Sequence, residues 1–187
     1  MKKLIYVIAA VSSLALAAFA PIAGKLVGKS GHISFYSHTA VEDITANNYK
    51  VVSTVDPASG EVVFSVPMQS FEFEKALMQE HFNSKDFLNT KAFPKAKFNG
   101  KITNLSSIDF SKDGTYDATV DGELTIKDKS KPVSAKGTIV VKGASVMVNT
   151  KFNINLADYG VVFKKGKPST NVAKEVEVTV NADHQPE

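Results

Sequence analysis

The sequence predicts an all-β fold: an antiparallel barrel of about eight strands, with a short helical insertion around residues 74–89. Three observations lead there. Past residue 30 the apolar residues recur at every second position. The stretches that do so are long and are separated by turn residues. Each has one polar and one apolar face throughout, so the sheet must close on itself to hide the apolar one.

The 187 residues, 43% of them hydrophobic, suffice for one domain with its own core and are few for two. At the start, Lys2 and Lys3 precede the apolar run "LIYVIAAVSSLALAAFA", which ends in small residues. Residues 1–20 therefore read as a secretory signal peptide, with the cut between 17 and 23 and a single domain over 24–187. An uncleaved anchor is the other reading, although the run is short for a membrane span. With no cysteine there is nothing to lipidate and no disulfide, so the expected location is periplasmic or secreted. Loss of Lys2 and Lys3 takes the formal charge from +3 to +1, which removes the case for a nucleic-acid partner.

The elements follow in order. "GHISFYSH" reads as a first strand, "DITANNYKVVSTVD" as a second and "GEVVFSVPM" as a third, with "DPASG" as the turn between the last two. In "FEFEKALMQEHFNSKDFLN" the period changes: Phe73, Leu77, Met78, His81 and Phe82 fall at helical spacing. This predicts a helix over 74–83 and a further turn over 84–88, with Ser84 as its cap. Pro94 ends the helical segment and opens the next strand.

That strand, "KAKFNGKIT", sets Ala96, Phe98, Gly100 and Ile102 against Lys95, Lys97, Asn99 and Lys101. The lysines read as a solvated outer face that keeps the strand from pairing edge to edge; a patch for anionic lipid headgroups is the alternative. The alternation recurs in "TYDATVDGELTIK", "PVSAKGTIVVK", "SVMVNTKFNINL" and "KEVEVTVNA", with a short turn expected at the "KDG" of Lys112–Gly114.

The run "LMQEHFNSKDF", "KAFPKAKFNGKI", "DGELTIKDKSKPVSAKG" and "NINLADYGV" resembles, in this order, the YceI-like family. The likeness spans Gly31 to Ala182. It departs where the family usually has histidine-glycine in the hairpin after the isoleucine; here Lys127 and Asp128 stand there, so any role of that histidine is absent. The resemblance implies an exported, lipocalin-like barrel whose members hold a polyisoprenoid chain, such as a quinone or prenyl tail, in an elongated apolar tunnel.

The residues themselves bear on such a tunnel. Ala96, Gly100, Ala118, Gly122, Ala135 and Gly137 are small and face inward, which favours space inside a barrel just wide enough for one slim ligand. Glycines also serve as bends where strands coil, and that reading stays open. The expected walls are Phe64, Val66, Phe98, Ile102 and Leu124 together with Ile126, Ile139, Phe152 and Ile154. Leu77, Met78, Phe82 and Phe87 would form an apolar lid over the mouth. The sequence thus points to a binding protein, a carrier or buffer for an isoprenoid lipid or quinone, with no catalytic site, no metal and no cofactor beyond a bound lipid. Transient contact with a membrane surface and a homodimer remain open as partners. The alternative is a solid barrel acting through its surface as a structural or stress-response module of the envelope.

Enzyme classes find little support. His32, His38, His81 and His184 are scattered, "QEHF" lacks the second histidine of a zinc helix, and no serine sits in a glycine-flanked elbow. His81 is expected to be a hydrogen-bonded residue at the boundary of the core.

Overall fold

The computed structural model describes residues 24–161 and 172–187; the predicted signal peptide lies outside them. The described elements are β1 (Leu26–His38), β2 (Asp43–Val55), β3 (Glu61–Pro67), β4 (Glu72–Phe73), α1 (Ala76–Asn83), β5 (Lys95–Ile102), β6 (Gly114–Ile126), β7 (Lys129–Lys142), β8 (Ser145–Asn155) and β9 (Glu175–Pro186). Every pairing is antiparallel, in the order β1-β9-β8-β7-β6-β5-β3-β2, and β1 pairs back onto β2 to close an eight-stranded barrel. β4 is a ninth, two-residue strand on β2, matching Phe73 to Ala46 and Glu72 to Asn47.

The alternation read from the sequence sets the inside of this barrel. Ala118 and Ile126 of β6, Ala135, Ile139 and Val141 of β7, and Val176, Val180 and Ala182 of β9 are all buried. Their even or odd positions place them on one face of each strand.

The boundaries needed correction in five places. β1 starts at Leu26 rather than Gly31, because register breaks between Gly28 and Ile33 interrupt the two-residue period that would have revealed it. β9 runs on to Pro186. α1 starts at Ala76 rather than 74, since Glu72 and Phe73 are bound into the sheet. The turn expected over 84–88 is present, Phe87 N–H donating to the Ser84 carbonyl at 3.2 Å, but the Ser84 side chain does not cap it: its hydroxyl donates back to the His81 carbonyl at 2.7 Å and closes α1. The "KDG" turn is only the end of a longer connection, 103–113, whose Ile108 and Phe110 are buried.

A sixth correction concerns the lysines of β5. Lys95, Lys97 and Lys101 are exposed as expected. They do not guard an edge, however, because β5 is hydrogen-bonded to β3 on one side and β6 on the other.

The barrel has two unlike ends. One carries α1, the connections 39–42 and 68–94, and Leu156–Tyr159 after β8. The other carries 56–60, 103–113 and the tight turn at Gly143. At this second end Leu26, Val55, Val141 and Val146 are almost completely buried, and Ile108 and Phe110 close it off.

Candidate functional site

Under α1 the barrel encloses a cavity of about 730 Å³, within the range of about 300–1,000 Å³ typical of small-molecule sites. Its wall is overwhelmingly apolar. All thirteen residues named from the sequence border it: Phe64, Val66, Leu77, Met78, Phe82 and Phe87 as well as Phe98, Ile102, Leu124, Ile126, Ile139, Phe152 and Ile154. They converge because they take inward positions on β3, β5, β6, β7 and β8, spread along the barrel from Ile102 and Ile139 to Ile126 and Ile154, with α1 over the mouth.

The small inward residues divide into two kinds. Ala96, Ala118 and Ala135 border the cavity, and their short side chains leave its space open. Gly100 and Gly122 do not border it. They lie opposite each other across β5 and β6, and the Phe98 ring lies against both. A Cβ on Gly100 would come within 2.6 Å of that ring, and one on Gly122 within 2.5 Å of the Gly100 Cα. These glycines hold an aromatic side chain flat against the wall rather than making room for a ligand.

At the mouth Phe82 fixes α1 to the barrel. Its ring is within 5.0 Å of Phe73, 5.4 Å of Phe71, 5.8 Å of Phe35 and 6.4 Å of Phe87, centre to centre. Such aromatic pairs add about 0.5–1.5 kcal/mol each beyond their burial. Phe82 is therefore the anchor of the helix, while Leu77, 61% exposed, stands on the rim. The Lys75 ammonium donates to the Glu42 carboxylate at 2.7 Å, tying the start of α1 to the β1–β2 connection. Lys127, at the hairpin position that departs from the family pattern, adopts a left-handed φ of 56°. Its ammonium donates to the carbonyls of Phe87 and Gly160, each at 3.2 Å, and so joins two connections at the mouth.

β7 and β8 pair only from Lys142–Ser145 to Gly137–Thr150, and beyond that point they part. Gly137, Thr138, Asn149 and Thr150, at the fork, all border the cavity. The fork is thus a thin place in its wall.

The histidines settle into distinct places. His32 stacks on Tyr49 at 4.5 Å and bonds Asn47, and His38 pairs with Asp43, both on the outer face. Hydrogen bonding to His38 holds the Asp43 carboxyl below its ordinary pKa. His81 corrects the expectation made for it: its ring borders the cavity and has no hydrogen-bond partner among the described residues.

The structure also joins two residues that no spacing rule connects, Ser53 and His184, at 2.8 Å. The Val146 carbonyl can only accept, so His184 Nδ1 carries the hydrogen that meets it at 3.1 Å. Nε2 then accepts from the Ser53 hydroxyl. Burial pushes the pKa of His184 below its ordinary value, so the ring is neutral. Gly28 makes the room: a Cβ there would lie 2.8 Å from Ser53 Oγ and 3.2 Å from His184 Cδ2. Serine and histidine side by side suggest a nucleophile, but Ser53 is 2% and His184 0% exposed, and neither borders the cavity. Phe64 lies edge-on to the imidazole at 6.3 Å, between it and the hollow.

Known proteins share this architecture. A polyisoprenoid binding domain from Saccharophagus degradans, implicated in plant cell wall breakdown, superposes with a TM-score of 0.72 at 10% identity, covering 87% of this chain and 98% of that one. Burkholderia cenocepacia BcnA gives 0.67 at 22% identity over 82% and 95%. A UPF0312 protein of Shewanella denitrificans is 29% identical over 123 residues, 62% of this chain, so the chain spans about 60% of that relative's length. The YceI-like domain model matches residues 23–184, and the chain belongs to that family.

Proposed function

We propose that this protein is an exported carrier or buffer that holds the polyisoprenoid tail of a quinone or other prenyl lipid in its barrel, without catalysing a reaction on it. The observation that carries the proposal is the hollow itself: about 730 Å³ walled by apolar side chains, where a solid barrel would have none. The polyisoprenoid binding domain of similar fold supports the choice of ligand. The apolar run after Lys2 and Lys3, with no cysteine to lipidate, supports export to the periplasm or beyond.

Energetics favour exchange with a membrane over permanent retention. Each methylene buried from water is worth about 0.8 kcal/mol, so a long prenyl chain taken from water would approach the ceiling of about 18–21 kcal/mol on affinity. A bilayer already shields the same chain. Transfer from bilayer to barrel is then nearly balanced, and the ligand can be taken up and released.

The test is native mass spectrometry of the mature protein purified from its own cell envelope without detergent, followed by solvent extraction. A stoichiometric prenyl lipid is the expected result. A bare protein that also fails to take up added isoprenoids from vesicles would return the reading to a solid module acting through its surface.

A further inference from the structure

The rim of the cavity carries an exposed apolar patch. Of the large apolar side chains among the described residues, Val41 at 74% and Leu77 at 61% are the most exposed. They come from different elements, the β1–β2 connection and α1, yet both lie beside one ion pair. Glu42 follows Val41, Lys75 precedes Ala76 and Leu77, and the Lys75 ammonium meets the Glu42 carboxylate at 2.7 Å. Ala40 and Ala76 are exposed as well. Four apolar side chains thus flank a bridged pair, and Glu42, Lys75 and Leu77 all border the cavity.

Both halves of the patch are held in place. In the turn, Thr39 Oγ1 accepts from the backbone N–H groups of Val41 and Glu42 at 3.3 and 3.1 Å, and Thr39 N–H donates to the Glu42 carbonyl at 3.2 Å. On the helix, Phe82 fixes α1 to the barrel through Phe73, Phe71 and Phe35, which keeps Leu77 on the rim. Scattered singly, exposed apolar side chains need no explanation; gathered at the opening of an apolar cavity, they mark a contact surface. A bilayer fits it. Apolar side chains enter the boundary between headgroups and acyl chains, and that is where the prenyl chain taken by the cavity resides. A protein seated on the same patch would cover the mouth.

We propose that the mouth of the barrel docks on a bilayer surface through Ala40, Val41, Ala76 and Leu77, so that a prenyl chain passes between membrane and cavity by contact, without crossing water. The inference rests on the carrier reading and adds to it the surface and the route. Transfer by contact is paced by encounters between protein and membrane. A chain that first escapes into water is paced by that escape instead, whatever the amount of membrane waiting to receive it.

The experiment follows tritiated geranylgeraniol as it leaves the loaded mature protein for acceptor vesicles of neutral phosphatidylcholine. The transfer rate is expected to rise in proportion to vesicle concentration, about tenfold for a tenfold increase. Val41→Asp combined with Ala76→Asp should slow transfer at least about fivefold, since a carboxylate resists entry into the bilayer boundary. Neither residue borders the cavity, so affinity for farnesol supplied in solution should stay within about twofold. A rate in the unaltered protein that does not change with vesicle concentration overturns the docking and leaves the carrier reading intact. So does a double variant that transfers as fast as the unaltered protein. A doubled mass in sedimentation that Val41→Asp abolishes would assign the patch to a second copy of the chain and overturn the proposal too. If the unaltered protein takes up neither geranylgeraniol nor farnesol, the carrier reading fails and this inference with it. The vesicle series needs only the unaltered protein, so it stands even if the double variant folds poorly.

Discussion

The two ends of the barrel solve the same problem in opposite ways. At the closed end the interior is full: Leu26, Val55 and Val146 are completely buried, Ile108 and Phe110 plug the opening, and the space left between strands is taken by the hydrogen-bonded Ser53–His184 pair. Above it the inward residues include three alanines, Ala96, Ala118 and Ala135, among the larger apolar side chains, and a cavity remains. The difference teaches that stability and binding are separated along one barrel. Substitutions that add volume should be costly at one end and nearly free at the other.

The largest effect should come from overfilling the closed end. Gly28→Val forces a side chain against Ser53 Oγ and the Asp183 carbonyl, 2.8 and 2.9 Å from even a single Cβ. We expect a loss of about 3 kcal/mol, or about 6–12 °C in Tm, measured by calorimetry. His184→Leu keeps the bulk but leaves the Ser53 hydroxyl and the Val146 carbonyl unpaired in the core. It should cost about 2–3 kcal/mol in urea titrations.

A pH series sharpens the same point. The unfolded chain binds a proton at His184 near the ordinary value of 6.5, whereas the buried ring resists it. The unfolded state therefore holds more protons below that pH. Stability contributed by the neutral ring is complete above about 6.5 and declines as pH falls through and below it. In His184→Leu this part of the acid dependence should vanish; an unchanged slope would refute the assignment.

At the α1 end the same kind of change should leave the fold alone. Ala135→Phe projects into the cavity, so stability should shift by less than about 1 kcal/mol while isoprenoid uptake falls at least about tenfold. A loss of stability comparable to that of Gly28→Val would break the comparison between the ends. The smallest effect is expected on the rim: Leu77→Gln, at a position 61% exposed, should alter stability by no more than about 0.5 kcal/mol. Its consequence should be confined to the rate of uptake from vesicles, followed by stopped-flow fluorescence.

Much of this was legible in the sequence, and the misses have physical causes. The wall residues from Phe64 to Ile154 could be named because alternation is local: once one residue of a strand faces inward, the next but one does too. Leu26 to Ser30 were missed as strand because the bulged register at Gly28 and Gly31 cancels that alternation. Phe73 falls at helical spacing with Leu77, yet one residue cannot show whether it belongs to a period of two or of 3.6, and pairing with Ala46 places it in the sheet. Gly100 and Gly122 looked like room for a ligand, yet the room is occupied by Phe98. Ser53 and His184 carried no signal at all, since 131 residues separate them and neither sits in a pattern.

By itself, the sequence determined that this chain makes amphipathic strands and one amphipathic helix, and hence a closed sheet with an apolar interior. That follows from side-chain order along the backbone, which needs no knowledge of distant residues. Whether the interior is full or hollow was decided only by the tertiary structure. Enclosed volume is the small difference between the space set by strand register and stagger and the summed side chains that enter it. The same alternation of apolar residues yields a packed plug at Ile108, Phe110 and His184 and an open cavity at Ala96, Ala118 and Ala135.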